Sequence, residues 1–218
     1  MLRAREDGTS VSGVSDLGAP IVGAGEPSAL DQAVAVLGSG GTVVLPTDTV
    51  YGLAALPSVE GATQALFDLK GRSGDHPLAV LVADLDQALD LVSFDEPAVG
   101  RWMAELWPGP LTIVLRRSPL ASGLALGGGA VTIGIRCPDH PFVRELAAEV
   151  GPIATTSANR TGEPTPVDAA AAAASLVGSA DLVVDGGPAG TLASTVVDAS
   201  GEEWSILREG AITADQLG

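Results

Sequence analysis

Apolar positions along the chain alternate between helical and strand spacing from residue 27 to nearly the C-terminus. Leu30, Val34 and Leu37 recur three or four positions apart after Ser28, a residue type that caps helices, which predicts a helix at the start of this region. The pattern predicts further helices at 59–69, 99–106, 142–150 and 169–174. It predicts strands at 42–46, 78–82, 111–117, 131–136, 153–156, 182–185, 194–198 and 204–207. Interleaved helices and strands with a strand-rich end indicate a mixed sheet with helices packed against it.

Residues 1–26 differ from the rest of the chain. They are rich in glycine, serine, alanine and acidic residues and show no sustained hydrophobic period, so they offer little apolar surface to offset the entropy cost of ordering. We therefore expect a disordered tail at 1–26. Residues 27–218 show no second shift in composition, so we expect them to form a single domain.

The charge of the chain limits its partners. The formal net charge is −16, with 11 basic residues against 27 acidic ones, and Lys70 is the only lysine. Binding of nucleic acid through its phosphates needs many basic side chains, so direct RNA binding is not expected. The positions of the few cations are therefore informative.

Several classes of site are excluded by simple counts. A single cysteine, Cys137, cannot form an internal disulfide or a cysteine-rich zinc site. His76 and His140 have no ligand spacing with each other or with acids, so we expect no metal site from protein side chains. The N-terminus lacks an apolar signal segment and no window approaches the length of a membrane span, so we expect a cytoplasmic protein.

Polar groups follow several predicted strands. PTDTVYGL at 46–53 and TTSANRTG at 155–162 place hydroxyl, carboxyl and amide groups where α/β sheets open their ligand crevices. Arg136, Ser194 and Arg208 also lie beside strand ends, so convergence on one crevice is an open hypothesis. Each of these features alone is equally compatible with a polar turn that satisfies its own backbone.

A close cationic pair, Lys70-Gly71-Arg72, ends the helix predicted at 59–69. A cation at a helix C-terminus is mildly stabilised by the macrodipole and often has no further role. In a chain this acidic, however, the only lysine lies two residues from an arginine. A lysine point charge beside an arginine fork is the arrangement that a polyphosphate requires.

Taken together and in order, seven motifs resemble the YrdC-like family of threonylcarbamoyl-AMP synthases. They are PTDTVYGL, KGR followed by HPLAVLV, WPGPLTIVL, IRCPDHP, TTSANRTGEPTP, STVVD and WSILREG. The resemblance covers about residues 28–212. The resemblance implies a twisted open α/β sheet of mixed parallel and antiparallel strands with a large cavity in its concave face.

The resemblance also implies a reaction. Members of the family condense L-threonine, bicarbonate and ATP to threonylcarbamoyl-AMP and pyrophosphate, with Mg²⁺ bound through ATP, and a separate transferase complex passes the threonylcarbamoyl group to tRNA. It implies an ATP-binding role for Lys70, Arg72, Ser157, Asn159 and Arg208, with Lys70 and Arg72 facing the cavity and holding the triphosphate. It implies a role on the threonine and carbamate side for Thr47, Arg136 and Ser194.

One position departs from the pattern, and two other functions stay open. Some relatives carry a histidine where this chain has Leu81, so one polar contact to threonine is in doubt. The first alternative is a carbamoyl-adenylate-forming module, although this chain lacks the acylphosphatase and zinc segments that accompany one. The second is a non-catalytic nucleotide- or RNA-binding relative, against which the retained Lys70, Arg72, Ser157 and Asn159 speak.

Overall fold

The computed structural model describes residues 18–71, 74, 76–129 and 131–218. The α-helices of this part of the chain are α1 (Ala29–Gly38), α2 (Ala62–Lys70), α3 (Leu85–Leu91), α4 (Pro97–Leu106), α5 (Pro141–Val150), α6 (Ala169–Ala174) and α7 (Ala214–Leu217). The strands are β1 (Ile21–Gly23), β2 (Val43–Leu45), β3 (Gly52–Ala55), β4 (Ala79–Leu81), β5 (Val92–Ser93), β6 (Leu111–Arg117), β7 (Thr132–Arg136), β8 (Ile153–Ser157), β9 (Leu182–Asp185), β10 (Thr195–Asp198) and β11 (Ser205–Arg208). None of the helices in these ranges is long and apolar enough to cross a lipid bilayer.

All the strands belong to one sheet, in the order β1-β9-β2-β3-β8-β4-β7-β6-β10-β11, with β5 paired to β6. Four of the neighbouring pairs along this order are parallel, namely β1–β9, β9–β2, β4–β7 and β6–β10. The remaining pairs are antiparallel. The predicted single-domain α/β fold with a mixed sheet flanked by helices is thereby confirmed.

Two apolar cores lie on the two faces of the sheet. The larger core contains Leu66 of α2, Trp102 of α4 and Ala172 of α6, packed on one face. The smaller core contains Leu37 of α1 and Leu146 of α5, packed on the other face against β2, β8 and β9. α5 also reaches β4, whose Leu81 belongs to this core, and beyond β4 the part of the second face formed by β7, β6 and β10 stays open.

The strands β6 and β7 show how the sequence keeps this part of the face open. Leu111, Ile113 and Leu115 point into the larger core, whereas the alternate positions Thr112 and Val114 face the opposite side. Successive side chains of a strand point to opposite faces, so one strand supplies both core and cavity. The same alternation puts the isoleucines of β7 in the core and its polar and small residues in the cavity.

The N-terminal boundary predicted at residue 26 is wrong for residues 21–23. These residues form β1, which pairs in parallel with β9, and Val22 is 6% exposed within the smaller core. The strand is only three residues long, which is too short for a hydrophobic period to be recognised. Residues 1–17 lie outside the described residues.

Among the further elements that were not predicted are β3 and α3. No strand was predicted at Gly52–Ala55, but this segment forms β3, whose four residues are all buried and so show no polar alternation. The helix α3 begins after Asp84, whose side chain accepts a hydrogen bond from the Gln87 amide. Gln87 Oε1 in turn accepts from the amide of Ala83, the residue before the N-cap, so Asp84 and Gln87 together mark the start of this helix.

Candidate active site

A cavity of about 360 Å³ occupies the open part of the second face of the sheet. The residues around it come from distant parts of the chain, and most are hydroxyl-bearing, small or cationic. They include Thr47, Thr49, Gly52, Ala79, Leu81, Thr112, Val114, Gly134, Arg136, Thr155, Ser157, Ser194, Val196, Leu207 and Arg208.

A row of small residues across neighbouring strands gives the cavity its depth. Thr155 of β8 lies opposite Ala79 of β4, Ala79 lies opposite Gly134 of β7, and Gly134 lies opposite Val114 of β6. A Cβ atom added at Gly134 would come within 3.6 Å of the Thr112 side chain and 3.7 Å of the Val114 side chain. The missing side chain at Gly134 therefore opens space rather than relieving a clash.

Arg136, at the end of β7, links two loops at the rim of the cavity. Its Nε donates to the Gly109 carbonyl at 3.0 Å, and its two terminal nitrogens donate to Thr49 Oγ1 at 2.8 Å and to Asp48 Oδ1 at 2.5 Å. The side chains of Arg136 and Asp48 are only 7% and 14% exposed. Burial lowers the pKa of Arg136, and the Asp48 carboxylate opposes this change. Arg136 is thus a buried guanidinium that already has one carboxylate partner.

Thr47 uses its hydroxyl within its own turn. The Thr47 Oγ1 atom accepts from the amides of Thr49 and Val50 at 3.1 and 3.2 Å and donates to the Val50 carbonyl at 2.6 Å. This bonding fixes the loop after β2, which presents Asp48 and Thr49 to Arg136. The Thr47 hydroxyl therefore stabilises its own turn, whereas the side chains of Asp48 and Thr49 accept hydrogen bonds from Arg136.

Arg208, Ser194 and Thr112 form a second polar cluster at the other end of the cavity. Arg208 donates to the Ser194 carbonyl from Nε at 3.1 Å and from Nη2 at 2.8 Å, and Nη2 also lies 3.1 Å from Ser194 Oγ. The hydroxyls of Ser194 and Thr112 lie 2.9 Å apart. Ser194 is 6% exposed and Thr112 is 5% exposed, so the two hydroxyls are nearly enclosed, whereas Arg208 is exposed.

Arg208 has no carboxylate within ion-pair distance among the described residues. Burial lowers its pKa, and the positive charge of Arg136 lowers it further. The two guanidiniums therefore act on each other across one cavity, and only Arg136 has an acid partner. A cation that lines a cavity without a carboxylate partner, in a chain of net charge −16, indicates an anion site.

Lys70, Ser157 and Asn159 form a third cluster beyond the end of β8. The Lys70 ammonium donates to the carbonyls of Ser157 and Asn159 at 2.6 and 2.8 Å, and it lies 3.3 and 3.2 Å from their side-chain oxygens. Ser157 Oγ donates to Asn159 Oδ1 at 2.6 Å. The Asn159 amide nitrogen donates to the carbonyls of Arg160 and Glu163. The side chains of Lys70 and Asn159 are thereby engaged in holding this loop.

The structure brings together five of the eight predicted site residues. Those that line the cavity are Thr47, Arg136, Ser157, Ser194 and Arg208. Lys70 and Asn159 lie next to Ser157 but are 3% and 7% exposed and do not line the cavity, so the expectation that Lys70 faces it is wrong in this conformation. Arg72 lies outside the described residues.

Sequence reasoning missed Thr112 and Gly134. Both interrupt otherwise apolar strands at alternate positions, Thr112 within Leu111–Arg117 and Gly134 within Thr132–Arg136. A polar or absent side chain at such a position marks the face of a strand that does not enter the core. That signal was present in the sequence, although it does not reveal which neighbouring strand completes the site.

Comparison with known proteins gives a consistent family match. The sequence profile of the Sua5_yciO_yrdC family, described as telomere recombination, matches residues 35–210. The chain is 39% identical over 188 residues to the threonylcarbamoyl-AMP synthase of Bacillus subtilis, an alignment that covers 85% of this chain and 54% of that protein. It is 37% identical over 187 residues to the putative threonylcarbamoyl-AMP synthase of Mycobacterium tuberculosis H37Rv, covering 85% of this chain and 86% of that protein.

A solved structure agrees with these matches. The crystal structure of Pyrococcus abyssi Sua5 complexed with L-threonine superposes with a TM-score of 0.76 at 32% identity and covers 86% of this chain and 56% of that chain. The present chain thus spans about half the length of the Bacillus and Pyrococcus relatives and most of the length of the mycobacterial one.

Proposed function

The chain belongs to the Sua5, YciO and YrdC family, and from this premise we propose that it synthesises threonylcarbamoyl-AMP. The overall reaction joins L-threonine, bicarbonate and ATP and releases pyrophosphate and one water. The observation that carries the proposal is the placement of Arg136 and Arg208 on one cavity of a strongly acidic chain. Such a cavity attracts anionic substrates while the rest of the surface repels them.

The nucleotide is proposed to bind at the end of the cavity formed by Ser157. Ser157 offers its hydroxyl to the cavity, while Asn159 and Lys70 hold the loop that carries it. Arg72, outside the described residues, remains a proposed ligand of the triphosphate, as does Lys70 if this loop rearranges around ATP. Arg208 is the remaining cation that the family resemblance assigns to the phosphates.

L-Threonine is proposed to bind near Arg136, at the rim of the cavity. The Arg136 guanidinium and the hydroxyls of Thr47 and Ser194 are the candidate partners of the threonine carboxylate and of the carbamate. Leu81 lines the cavity beside them, where it offers the threonine methyl an apolar contact instead of a polar one. The Pyrococcus Sua5 structure contains L-threonine, which supports an amino-acid site in this fold.

The chemistry then depends more on position than on acid–base catalysis. The amine of threonine and bicarbonate give a carbamate and water, and a carbamate oxygen attacks the α-phosphorus as the bond to pyrophosphate breaks. Holding carbamate and ATP in line removes much of the entropic barrier. Guanidinium groups beside the site stabilise the charge that develops on the oxygens, and each such contact contributes on the order of a few kcal/mol.

Magnesium is proposed to arrive on ATP. The described residues contain no group of three histidine, cysteine or acidic side chains that could hold a metal ion. Mg²⁺ keeps several waters and is commonly held by substrate phosphates, so this donor set fits an ion carried by ATP. Its role would be to neutralise the phosphates. We further propose a cytoplasmic location and delivery of the product to a tRNA threonylcarbamoyl-transferase complex.

The test is pyrophosphate release by the purified protein with ATP and magnesium, measured with and without L-threonine and bicarbonate. Release that needs both substrates, together with a threonylcarbamoyl-AMP adduct seen by mass spectrometry, is the expected result. Release with a carbamoyl donor but not with threonine would favour a carbamoyl-adenylate-forming module. ATP binding without turnover under any of these conditions would favour a non-catalytic nucleotide-binding protein, and the proposal would then be wrong.

A further inference from the structure

We propose that Asp48 is a positioning residue that reserves Arg136 for a zwitterionic amino acid and keeps phosphate away from it. Asp48 acts through its ion pair with Arg136, since its chain neighbours Thr47 and Thr49 line the cavity and Asp48 does not. The inference rests on the proposed function for the identity of the amino acid, L-threonine. Asp48 is not among the site residues that the family resemblance implied.

Three protein acceptors hold the Arg136 guanidinium in one orientation. Its Nε donates to the Gly109 carbonyl, and its terminal nitrogens donate to Thr49 Oγ1 and to Asp48 Oδ1. The Gly109 amide in turn donates to the Cys137 carbonyl at 2.9 Å, so this acceptor is itself fixed. Only Asp48 among the three acceptors is charged, and hydrogen bonds between charged groups are stronger than neutral ones. Asp48 therefore supplies the strongest single restraint on Arg136.

The restrained guanidinium keeps donors for a ligand. A guanidinium has five N–H groups, and three of those of Arg136 bond oxygens of the described residues, which leaves one on each terminal nitrogen. The Arg136 side chain is only 7% exposed and lines the cavity, so a ligand in the cavity can reach these donors. A carboxylate has two oxygens and matches two N–H groups of one guanidinium.

The charge of the pair determines which ligand it accepts. Arg136 and Asp48 together carry no net charge. An amino acid places its carboxylate on the guanidinium, and its ammonium group is attracted by the nearby Asp48 carboxylate. Phosphate carries negative charge alone, so repulsion by Asp48 offsets its attraction to Arg136. Arg208 lines the same cavity and has no carboxylate within ion-pair distance among the described residues, so it stays the cation for phosphate.

A purely structural role for the pair is the alternative. A buried arginine needs an acid partner whatever the ligand is. If this were the only role of Asp48, its loss would lower stability and would weaken every ligand alike or none. Selection by charge instead predicts opposite changes in the affinities for an amino acid and for phosphate. The two roles are therefore separable by experiment.

The test measures binding of L-threonine and of inorganic phosphate to the full chain, each by isothermal titration calorimetry. Asp48→Asn keeps the shape and an oxygen acceptor but removes the charge. The Kd for phosphate is expected to fall about ten-fold, the effect of removing one repelling charge a few ångströms away. The Kd for L-threonine should rise about three-fold or more, because the guanidinium loses its charged anchor. Asp48→Glu keeps the charge, so the Kd for phosphate should stay within about two-fold.

A matched control is Asp139→Asn. Asp139 follows Arg136 by three residues, is exposed, and forms no ion pair with the basic groups of the described residues. Its substitution removes the same charge from the same region, so both Kd values should stay within about two-fold. If Asp139→Asn tightens phosphate binding as much as Asp48→Asn does, the effect belongs to net charge alone and the proposal is overturned.

A double variant decides the question if Asp48→Asn does not fold. Asp48→Asn with Arg136→Gln removes both charges of the pair, so the net charge is unchanged and no partner is left unmatched. The Kd for L-threonine should rise about ten-fold or more, while the Kd for phosphate stays within about two-fold. Weaker phosphate binding by the double variant would mean that phosphate uses the pair, and the proposal would be wrong.

These binding measurements need no turnover, so their outcome is separate from that of the proposed function. If the opposite shifts appear in a protein that releases no pyrophosphate, the role of Asp48 stands and the proposed function fails. If both Kd values of Asp48→Asn change in the same direction, or neither changes, the role of Asp48 fails even in an active synthase.

Discussion

The Lys70 ammonium lies 2.6 Å from the carbonyl oxygen of Ser157 and thereby ties the end of α2 to the end of β8. The backbone carbonyl of Lys70 adds a second link, since it accepts from both the amide and the hydroxyl of Thr161 at 3.3 Å. α2 packs on the face of the sheet opposite the cavity, so the Lys70 side chain approaches Ser157 from that opposite face. In this conformation it acts on the cavity by positioning Ser157.

Replacement of Lys70 by methionine is expected to lower both stability and activity. The carbonyls of Ser157 and Asn159 would lose a charged donor while staying enclosed, which costs about 1–3 kcal/mol of the free energy of unfolding. Lys70→Arg should not restore activity, because a planar fork does not fit four oxygens arranged around a compact ammonium. Urea denaturation and the pyrophosphate assay measure the two effects. Lost activity at unchanged stability would instead indicate direct contact with phosphate.

Gly134→Ala is expected to separate stability from activity. The added Cβ makes ordinary contacts at 3.6 and 3.7 Å, and alanine loses less backbone entropy than glycine on folding, so stability should stay equal or rise by up to about 1 kcal/mol. The same atom enters the cavity, so kcat/KM should fall, and Gly134→Val should lower it further. Gly100→Ala, in the exposed part of α4 with nothing within 4 Å, is the control that should change stability alone. An unchanged kcat/KM in Gly134→Val would show that the substrates do not contact the cavity surface at Gly134.

Two neighbouring substitutions test whether β1 belongs to the fold. Val22→Asp places a charge in the smaller core and is expected to cost at least about 2 kcal/mol of stability. Ile21→Asp changes a residue that is 53% exposed and should stay within about 0.5 kcal/mol. A disordered tail at 1–26, as expected from the sequence, could be deleted at nearly unchanged melting temperature. Because β1 pairs with β9, we instead expect that deletion to lower the melting temperature. Equal melting temperatures for the two aspartate variants would restore the earlier expectation.

His140 should make stability depend on pH. Burial lowers the pKa of His140 below 6.5, partly opposed by the charges of Asp48 and Asp139, and its Nδ1 atom is enclosed without a hydrogen-bond partner in the described structure. The unfolded chain therefore takes up a proton at a higher pH than the folded chain, so stability is lost as pH falls through and below 6.5 and is regained as pH rises. Urea unfolding at pH 5.5 and 7.5 should show a smaller difference in His140→Gln than in the unsubstituted protein. The same difference in both would assign the pH dependence to other groups.

Much of the fold could be predicted because the core has a regular hydrophobic pattern. Leu111–Arg117, Ala169–Ala174 and Leu182–Asp185 were predicted with the bounds they have in the structure. The missed β1 and β3 are short, and β3 is buried on both sides, so neither carries a period that separates it from a loop. Strand order could not be read from the sequence, because pairing between distant strands depends on the whole tertiary structure.

The candidate site was predictable only in part. Five residues that the resemblance indicated line the cavity, namely Thr47, Arg136, Ser157, Ser194 and Arg208, and their roles toward the substrates stay predictions. The engagement of Lys70 with Ser157 and Asn159, and the pairing of Arg136 with Asp48, depend on side-chain directions at strand ends. Spacing along the chain does not encode those directions, and Thr112 joins the site only through the β6–β10 pairing.

The burial of Lys70 also has a practical consequence. Lys70 is the only lysine of the chain, and its side chain is 3% exposed, with its nitrogen surrounded by oxygens of the Ser157–Asn159 loop. Amine-reactive dyes, cross-linkers and acetylating enzymes therefore find no accessible lysine side chain on the folded domain. Acylation of Lys70 requires this loop to open. The rate of acylation, followed by mass spectrometry, therefore measures how often the loop opens.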